Sequence, residues 1–344
     1  MTALVAEHVS DERVDADPAL RVEALTVDIR TITGTVRAVD KVSFAAHRGE
    51  TLALLGESGC GKSMTATALV GLLEPVAEVV GGSAELAGRD GMSDILAADR
   101  KTRRKLAGTQ LAIVFQDALT ALNPLYTVGT QLAEPFRIHH GMKAKEAKRK
   151  AVELMARVGI PQPETRMNSY PHQFSGGMRQ RLLIAMAVAL NPRVLIADEP
   201  TTALDVTVQA QIMALLKSLR TEYDMAVVLI THDLALVAEE ADRVAVMYAG
   251  TIVESGSVAE VFADPKHPYT KGLLDSVPVN AERGAELKSI GGSPPDLHSI
   301  PEGCVYQARC PLAREICRTT RPALEAVGAR QKSACHFPGE VNHA

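Results

Sequence analysis

The sequence predicts an α/β fold built on a buried, largely parallel sheet and followed by a small loop-rich C-terminal domain. Three observations carry that expectation. "TLALL", "RVLIAD" and "AVVLITHD" are short, continuously apolar runs of the kind buried on both faces of a parallel sheet. Between the last two, "TVQAQIMALLKSLRTEY" repeats apolar residues at helical spacing, which makes a βαβ unit. After Gly256 the composition shifts toward Pro, Gly, His and Cys.

The segments follow in order. Residues 1–19 lack a basic stretch followed by an apolar core, so they are expected to form a mobile leader, not a signal peptide. Residues 20–255 form the first domain. It opens on the short alternating runs "RVEALTVDI" and "VRAVDKVSF", broken by Gly34 and Gly49, which predict strands and hairpins feeding "TLALL". From Ser63 the pattern turns helical through "MTATALVGLL", and a second β-rich patch follows around "GGSAELAG" and "QLAIVFQ". A mostly helical subdomain is expected over about residues 117–190, and the second domain over 256–344.

Composition excludes some functions. A chain of 344 residues that is 46% hydrophobic can bury one large core with a smaller domain attached. A net charge of −4, 3% aromatic residues and no Trp argue against a nucleic-acid surface, which combines a basic face with stacking rings. The longest apolar run, "LLIAMAVAL", falls short of the roughly 18 residues needed to span a bilayer. A membrane role must therefore come through partner proteins.

"GESGCGKS", Gly56–Ser63, follows a strand and precedes a helix, the context that a phosphate-binding G-x-x-x-x-G-K-[ST] loop needs. Backbone N–H groups of Gly56, Glu57, Ser58, Gly59, Cys60 and Gly61 can surround phosphate oxygens, and the helix beginning at Lys62, Ser63 and Met64 adds its positive end. Lys62 would reach the outer phosphates of ATP, and Ser63 offers a hydroxyl to Mg²⁺. Cys60 reads as a small filler within the loop. "VLIADEP" places two carboxylates at the end of a buried strand: Asp198 to hold Mg²⁺ through its water shell, Glu199 to orient an attacking water.

With "FSGGMRQR" at Phe174–Arg181, these motifs resemble the ATP-binding-cassette (ABC) proteins. The resemblance implies a P-loop ABC-type nucleotide-binding domain with a RecA-like core, an antiparallel β subdomain and a helical subdomain. It further implies that Ser175, Gly176, Gly177 and Met178 close over the γ-phosphate held by a second subunit. Met178 stands where the family usually has Gln. By the same resemblance Gln116 in "IVFQD" links Mg²⁺ and the attacking water to the transporter, Asp205 in "TTALD" contacts the opposite site, and His232 in "VLITHD" meets the γ-phosphate. Many family members stack adenine on an aromatic ring upstream of the P-loop, where this chain offers Ile32, Val36 and Val39. Loose base selectivity is the consequence to expect.

"DALTALNPLYTVGTQLAEP", "HPYTKGLL" and "GGSPPDL…PEGCVYQARCPLAREIC" look like the ATPase subunits of oligopeptide and dipeptide importers, a likeness that runs from about Leu20 to Pro338. It implies two ATPase subunits, identical or homologous, beneath two transmembrane permeases on the cytoplasmic face of the membrane, served by an extracytoplasmic substrate-binding protein. ATP would close the ATPase pair and hydrolysis would reopen it. The permeases would dock near Gln116 and "LNPLYTV". Relatives in the same branch import nickel, glutathione or oligosaccharides, so those cargoes stay open. Soluble ABC ATPases of repair or translation are a different class, as is a redox sensor that binds nucleotide. "KTRRK" at Lys101–Lys105 reads as a solvated charged face.

Cys304, Cys310, Cys317 and Cys335 follow the spacing C-x₅-C-x₆-C-x₁₇-C. Paired C-x₂₋₄-C knuckles of structural Zn²⁺ sites are absent, while an iron–sulfur cluster accepts four thiolates held on loops. The importer resemblance implies a [4Fe–4S] cluster there, with Zn²⁺ and unmetallated thiols as the alternatives.

Overall fold

The computed structural model describes residues 18–88, 91–202, 204–276 and 290–343. The expected leader, 1–19, lies outside them except for its last two residues. Its first strands are β1 (Leu20–Thr31), β2 (Gly34–Ala46) and β3 (Thr51–Leu55). They are followed by α1 (Lys62–Val70), β4 (Ala77–Gly88), β5 (Gly91–Asp94), α2 (Arg100–Leu106) and β6 (Leu111–Val114). β2, β1, β4 and β5 form a four-stranded antiparallel sheet in that order. Every residue of β3 is buried, whereas β1 and β2 mix buried and exposed positions, as a layer with one face on the core does.

The helical stretch comprises α3 (Ala118–Ala121), α4 (Val128–His140), α5 (Ala144–Arg157), α6 (Pro163–Arg166) and α7 (Gly176–Val188). Next come β7 (Val194–Asp198), α8 (Val206–Tyr223), β8 (Ala226–Thr231), α9 (Leu234–Glu240), β9 (Arg243–Tyr248) and β10 (Thr251–Ser257). β9, β3, β8, β7 and β6 lie side by side in parallel, with Leu54 of β3 opposite Ile230 of β8. One core packs α4, α5, α7 and α8 on the sheet through Leu132, Met155, Leu182 and Leu216. A second packs the antiparallel layer and α1 on its other face through Leu20, Val39, Leu54 and Ile230.

The C-terminal part holds α10 (Val258–Ala263), α11 (Pro268–Asp275), α12 (Glu315–Thr319), β11 (Glu325–Ala326) and β12 (Lys332–Ser333). Its two short strands extend the main sheet, because β12 pairs with β10 and β11 with β12. Cys304, Val305, Tyr306 and Cys317 share one core with Ala53, Leu55, Val246 and Tyr248 of the sheet. Buried Glu254 of β10 ties the C-terminal part to the sheet, accepting from the Lys266 and His267 N–H groups at 2.7 and 3.0 Å and from Gln331 Nε2 at 2.8 Å. This segment therefore borrows the sheet's apolar face, as a chain portion with few apolar residues must.

Among the described residues no helix is long and apolar enough to cross a membrane. α2, which carries the basic run, buries none of its residues. In "LNPLYTV" the expected surface is divided: Leu122 is buried while Leu125 and Tyr126 are 80% and 56% exposed.

Candidate functional site

The site forms where β3, β7 and β8 end. Turning out of β3, the chain passes through Gly59 and Gly61, both at positive φ, and enters α1 with Gly61 as its N-cap. Gly56 and Gly61 are required by close approach: a Cβ would lie 2.3 Å from the Met247 carbonyl oxygen at the first and 2.7 Å from that of Ala38 at the second. Lys62 Nζ donates to the carbonyl oxygens of Gly56 and Glu57 at 2.7 and 2.9 Å, folding the ammonium back over the loop. Cys60 is buried, and burial pushes its thiol pKa up against the opposing pull of Lys62, which disfavours a reactive thiolate.

Ser63 Oγ donates to Asp198 Oδ1 at 3.0 Å, so a hydroxyl and a carboxylate stand together as donors suited to a hard cation. Burial, the largest influence, pushes the Asp198 pKa up, with Glu199 adding to it and the Ser63 bond and Lys62 opposing it. A bound Mg²⁺ would relieve that penalty, so the residues fit the ion.

Glu199 gathers the remaining groups. It follows β7 at φ 44°, a left-handed conformation unusual for a residue with a side chain, and its N–H is held by the Ile230 carbonyl at 2.9 Å. Gln116 Nε2 donates to Oε2 at 2.8 Å, Thr202 Oγ1 to the same oxygen at 2.9 Å, and His232 Nδ1 lies 3.1 Å from Oε1. Burial pushes the Glu199 pKa up, but the His232 and Thr202 bonds, with the His232 and Lys62 charges, outweigh it and hold the carboxylate below its ordinary range. The carboxylate is thus kept ionised and oriented.

The structure therefore brings Lys62, Ser63, Gln116, Asp198, Glu199 and His232 together. Met64 is partly buried against the core beneath α1. Ser175, Gly176, Gly177, Met178 and Asp205 stand elsewhere, with no hydrogen bond to that group among the described residues. Ser175 and Asp205 cap α7 and α8, accepting from the Met178 and Val208 N–H groups at 3.4 and 3.0 Å. Gly177 lets the two helices approach, since a Cβ there would come within 2.5 Å of Val208 Cγ1. At the positions offered in place of an aromatic ring, Val36 and Val39 are buried and Ile32 is fully exposed.

Sequence reasoning missed three residues. Thr202 had a signal, its place three residues after Glu199. Tyr269 and Arg309 reach the phosphate loop from the C-terminal segment: Tyr269 Oη accepts from the Glu57 N–H at 2.9 Å, and Arg309 grips both Glu57 carboxylate oxygens at 2.7 and 3.0 Å. Contacts across that span of sequence have no periodic signature.

All four C-terminal cysteines are free, Cys304 and Cys317 buried and Cys310 and Cys335 partly so. The Cys304 N–H donates to the Cys317 carbonyl at 2.8 Å. Burial pushes the Cys310 thiol up to about 12 and Cys335 up to about 11, and the other cysteines add to both shifts. Burial and the nearby sulfurs thus disfavour the thiolate at Cys310 and Cys335. Among the described residues, however, no group of three or more His, Cys, Asp or Glu side chains is arranged to hold a metal ion, so the expected four-thiolate set is not gathered here.

This geometry defines a nucleotide-binding ATPase of the cassette type, and comparisons with known proteins agree. The ABC transporter family model matches residues 39–202, and the model of the oligopeptide/dipeptide transporter C-terminal region matches 253–317. Similar solved structures include the dimeric post-hydrolysis state of the ATP-binding cassette MJ0796 bound to ADP and Pi, at TM-score 0.61 and 26% identity, covering 70% of this chain and 98% of that one. Another is cbiO1 from Clostridium perfringens, part of the ABC transporter complex cbiONQ, at TM-score 0.59 and 28% identity, covering 72% and 92%. Among curated relatives, the dipeptide transport ATP-binding protein DppD of Haemophilus influenzae is 47% identical over 93% of this chain and 95% of its own. DppD of Bacillus subtilis is 50% identical over 89% and 90%. The chain belongs to the ABC transporter ATP-binding proteins, in the dipeptide and oligopeptide transport branch.

Proposed function

We propose that this chain is the ATP-hydrolysing subunit that powers import of dipeptides or oligopeptides through a membrane ABC transporter. The observation that carries the reading is the convergence of Lys62, Ser63, Asp198 and Glu199 at the strand ends, in a chain whose C-terminal half carries the peptide-transporter region. Residues 20–255 bind and hydrolyse the nucleotide, and 256–344 form the branch-specific part. Lys62 and the N–H groups of residues 56–63 hold the ATP phosphates, while Ser63 and Asp198 hold Mg²⁺. When bound, Mg²⁺ supplies charge neutralisation on the phosphates. Glu199 accepts a hydrogen bond from the attacking water and orients it, while Gln116, Thr202 and His232 fix the carboxylate.

ATP closes two such subunits on each other, with Ser175, Gly176, Gly177 and Met178 of one facing the P-loop of the other and Asp205 at the junction. The pair works beneath two permeases at the cytoplasmic face, fed by an extracytoplasmic substrate-binding protein, and exposed Leu125 and Tyr126 are the docking point. The test is ATP-driven uptake of a labelled dipeptide into vesicles holding the assembled transporter. Uptake that persists with Glu199→Gln would overturn the reading.

Cys304, Cys310, Cys317 and Cys335 hold a [4Fe–4S] cluster in this reading. Supporting it are four free cysteines, with the other three acting on the Cys310 thiol, and a loop-rich segment that gains from a cross-link. The sulfurs must draw together from their present places. Anaerobically purified protein should be brown with about four irons per chain, and Cys310→Ser should bleach it. Colourless protein containing zinc would replace the cluster with Zn²⁺.

A further inference from the structure

We infer that Arg309 and Tyr269 are positioning residues of the phosphate loop, acting through Glu57, so that the C-terminal segment sets the affinity for ATP. The inference rests on the nucleotide reading of Gly56–Ser63 and extends it to residues outside the loop.

Glu57 is held at every polar group it has. Its N–H donates to Tyr269 Oη at 2.9 Å, its carbonyl accepts from Lys62 Nζ at 2.9 Å, and its carboxylate receives both Arg309 terminal nitrogens at 2.7 and 3.0 Å. The planar fork of arginine meets the carboxylate with two parallel bonds, which fixes the orientation of the side chain as well as its place. Because the Glu57 carbonyl is also a resting point of the Lys62 ammonium, turning this one residue moves the loop's cation. It also redirects the next N–H groups, those of Ser58 and Gly59, which have no protein acceptor among the described residues.

The clamp is itself rigid. The Arg309 side chain is 4% exposed. Its Nε donates to the Gly291 carbonyl at 2.9 Å, and the guanidinium lies 5.7 and 6.0 Å from the ring centres of Tyr248 and Tyr306. Tyr269 is fully buried, packed 4.6 Å from Tyr248 and 5.5 Å from Tyr306 between ring centres. Its helix is anchored by His267, whose N–H donates to buried Glu254. The "HPY" triplet at its start thus places a hydroxyl on the phosphate loop. Arg309 sits in the loop between Cys304 and Cys310, so whatever fixes that loop fixes the guanidinium.

Calorimetry of MgATP binding to the full-length chain tests this. Arg309→Lys keeps the charge and loses the fork, and should weaken binding about tenfold, the order expected for one lost charge-assisted hydrogen bond. In the assembled transporter the KM for ATP should rise by a similar factor while kcat falls less than twofold. Glu57→Gln should do the same, and Glu57→Gln with Arg309→Lys should be no worse than either alone, since both break one contact. If Arg309→Lys unfolds the chain, Glu57→Gln reads the loss of the same contact from the other side, and Tyr269→Phe should separately weaken binding through the lost acceptor of the Glu57 N–H. Unchanged affinity in folded variants, or effects that simply add, would overturn the inference. Lys62→Ala separates the two readings: if it binds ATP normally the nucleotide site itself is misplaced, whereas if it alone loses binding only the clamp is wrong.

Discussion

The strand ends at the phosphate loop and the thiol-bearing part of the C-terminal segment share one sheet, yet they differ in how many hydrogen-bond partners hold their polar groups. At the strand ends, charges are paired: Lys62 lies on two carbonyl oxygens, Asp198 accepts from Ser63, and Glu199 is bonded by Gln116, Thr202 and His232. In the thiol loop, Cys304, Cys310 and Cys335 are pushed toward the neutral form by burial among apolar neighbours. The difference is clearest at Glu199, which its partners keep ionised and oriented although burial opposes it; at Asp198, as at the thiols, burial prevails. A carboxylate with several donors stays charged, whereas a buried thiol without them gains too little to ionise.

Predictions that would break this contrast begin with the largest. Glu199→Gln should lower kcat by about 10²–10⁴-fold while ATP binding survives. Single-turnover hydrolysis with labelled ATP measures it, and an unchanged rate would remove Glu199 from the reaction. Next in size are two core substitutions on either side of the shared sheet. Tyr306→Ala opens a cavity where three rings meet and should destabilise by about 3–5 kcal/mol, whereas Ile196→Val in β7 should cost only about 0.5–1.5 kcal/mol. Denaturant unfolding gives both numbers. If Tyr306→Ala costs no more than Ile196→Val, the C-terminal segment does not share the sheet's core in solution.

The smallest effect concerns pH. The Asp198 pKa is raised, chiefly by burial, so its proton returns above the ordinary aspartate value of about 3.9 and should compete with Mg²⁺ there. Its contribution to stability is present below the unfolded pKa and lost as pH rises through the folded one. Glu199 has the opposite sign: its pKa is depressed, so its contribution is present above the ordinary glutamate value of about 4.3 and lost only as pH falls through the lower folded value. Mg²⁺ affinity should therefore decline on acidification before Glu199 protonates. Affinity that stays flat down to the ordinary aspartate range would contradict the burial of Asp198.

Much of this site was legible in the sequence, and the reason differs by residue. Lys62 and Ser63 are announced by a local pattern in which glycines, a strand and a helix must follow in order. Asp198 and Glu199 are announced because a continuously apolar strand that ends in two acids has few other uses. Thr202, Tyr269 and Arg309 were not found, since a hydroxyl three residues past a motif, or an arginine far down the chain, looks the same whether or not it bonds to the site. The capping duties of Ser175 and Asp205 were hidden behind their resemblance to family motifs, although both stand at the start of a helix.

The sequence on its own settles the class of machine. Apolar periodicity dictates which strands are buried, and backbone sterics dictate that glycines stand where the loop turns back on itself. Tertiary structure alone decides which side chains steer that loop. Arg309 meets Glu57 because β12 extends the sheet and α11 returns beneath the phosphate loop, and such a meeting depends on how distant surfaces pack. Local propensity carries no record of that packing: the free energy of the pair exists only once both chain segments are already in place.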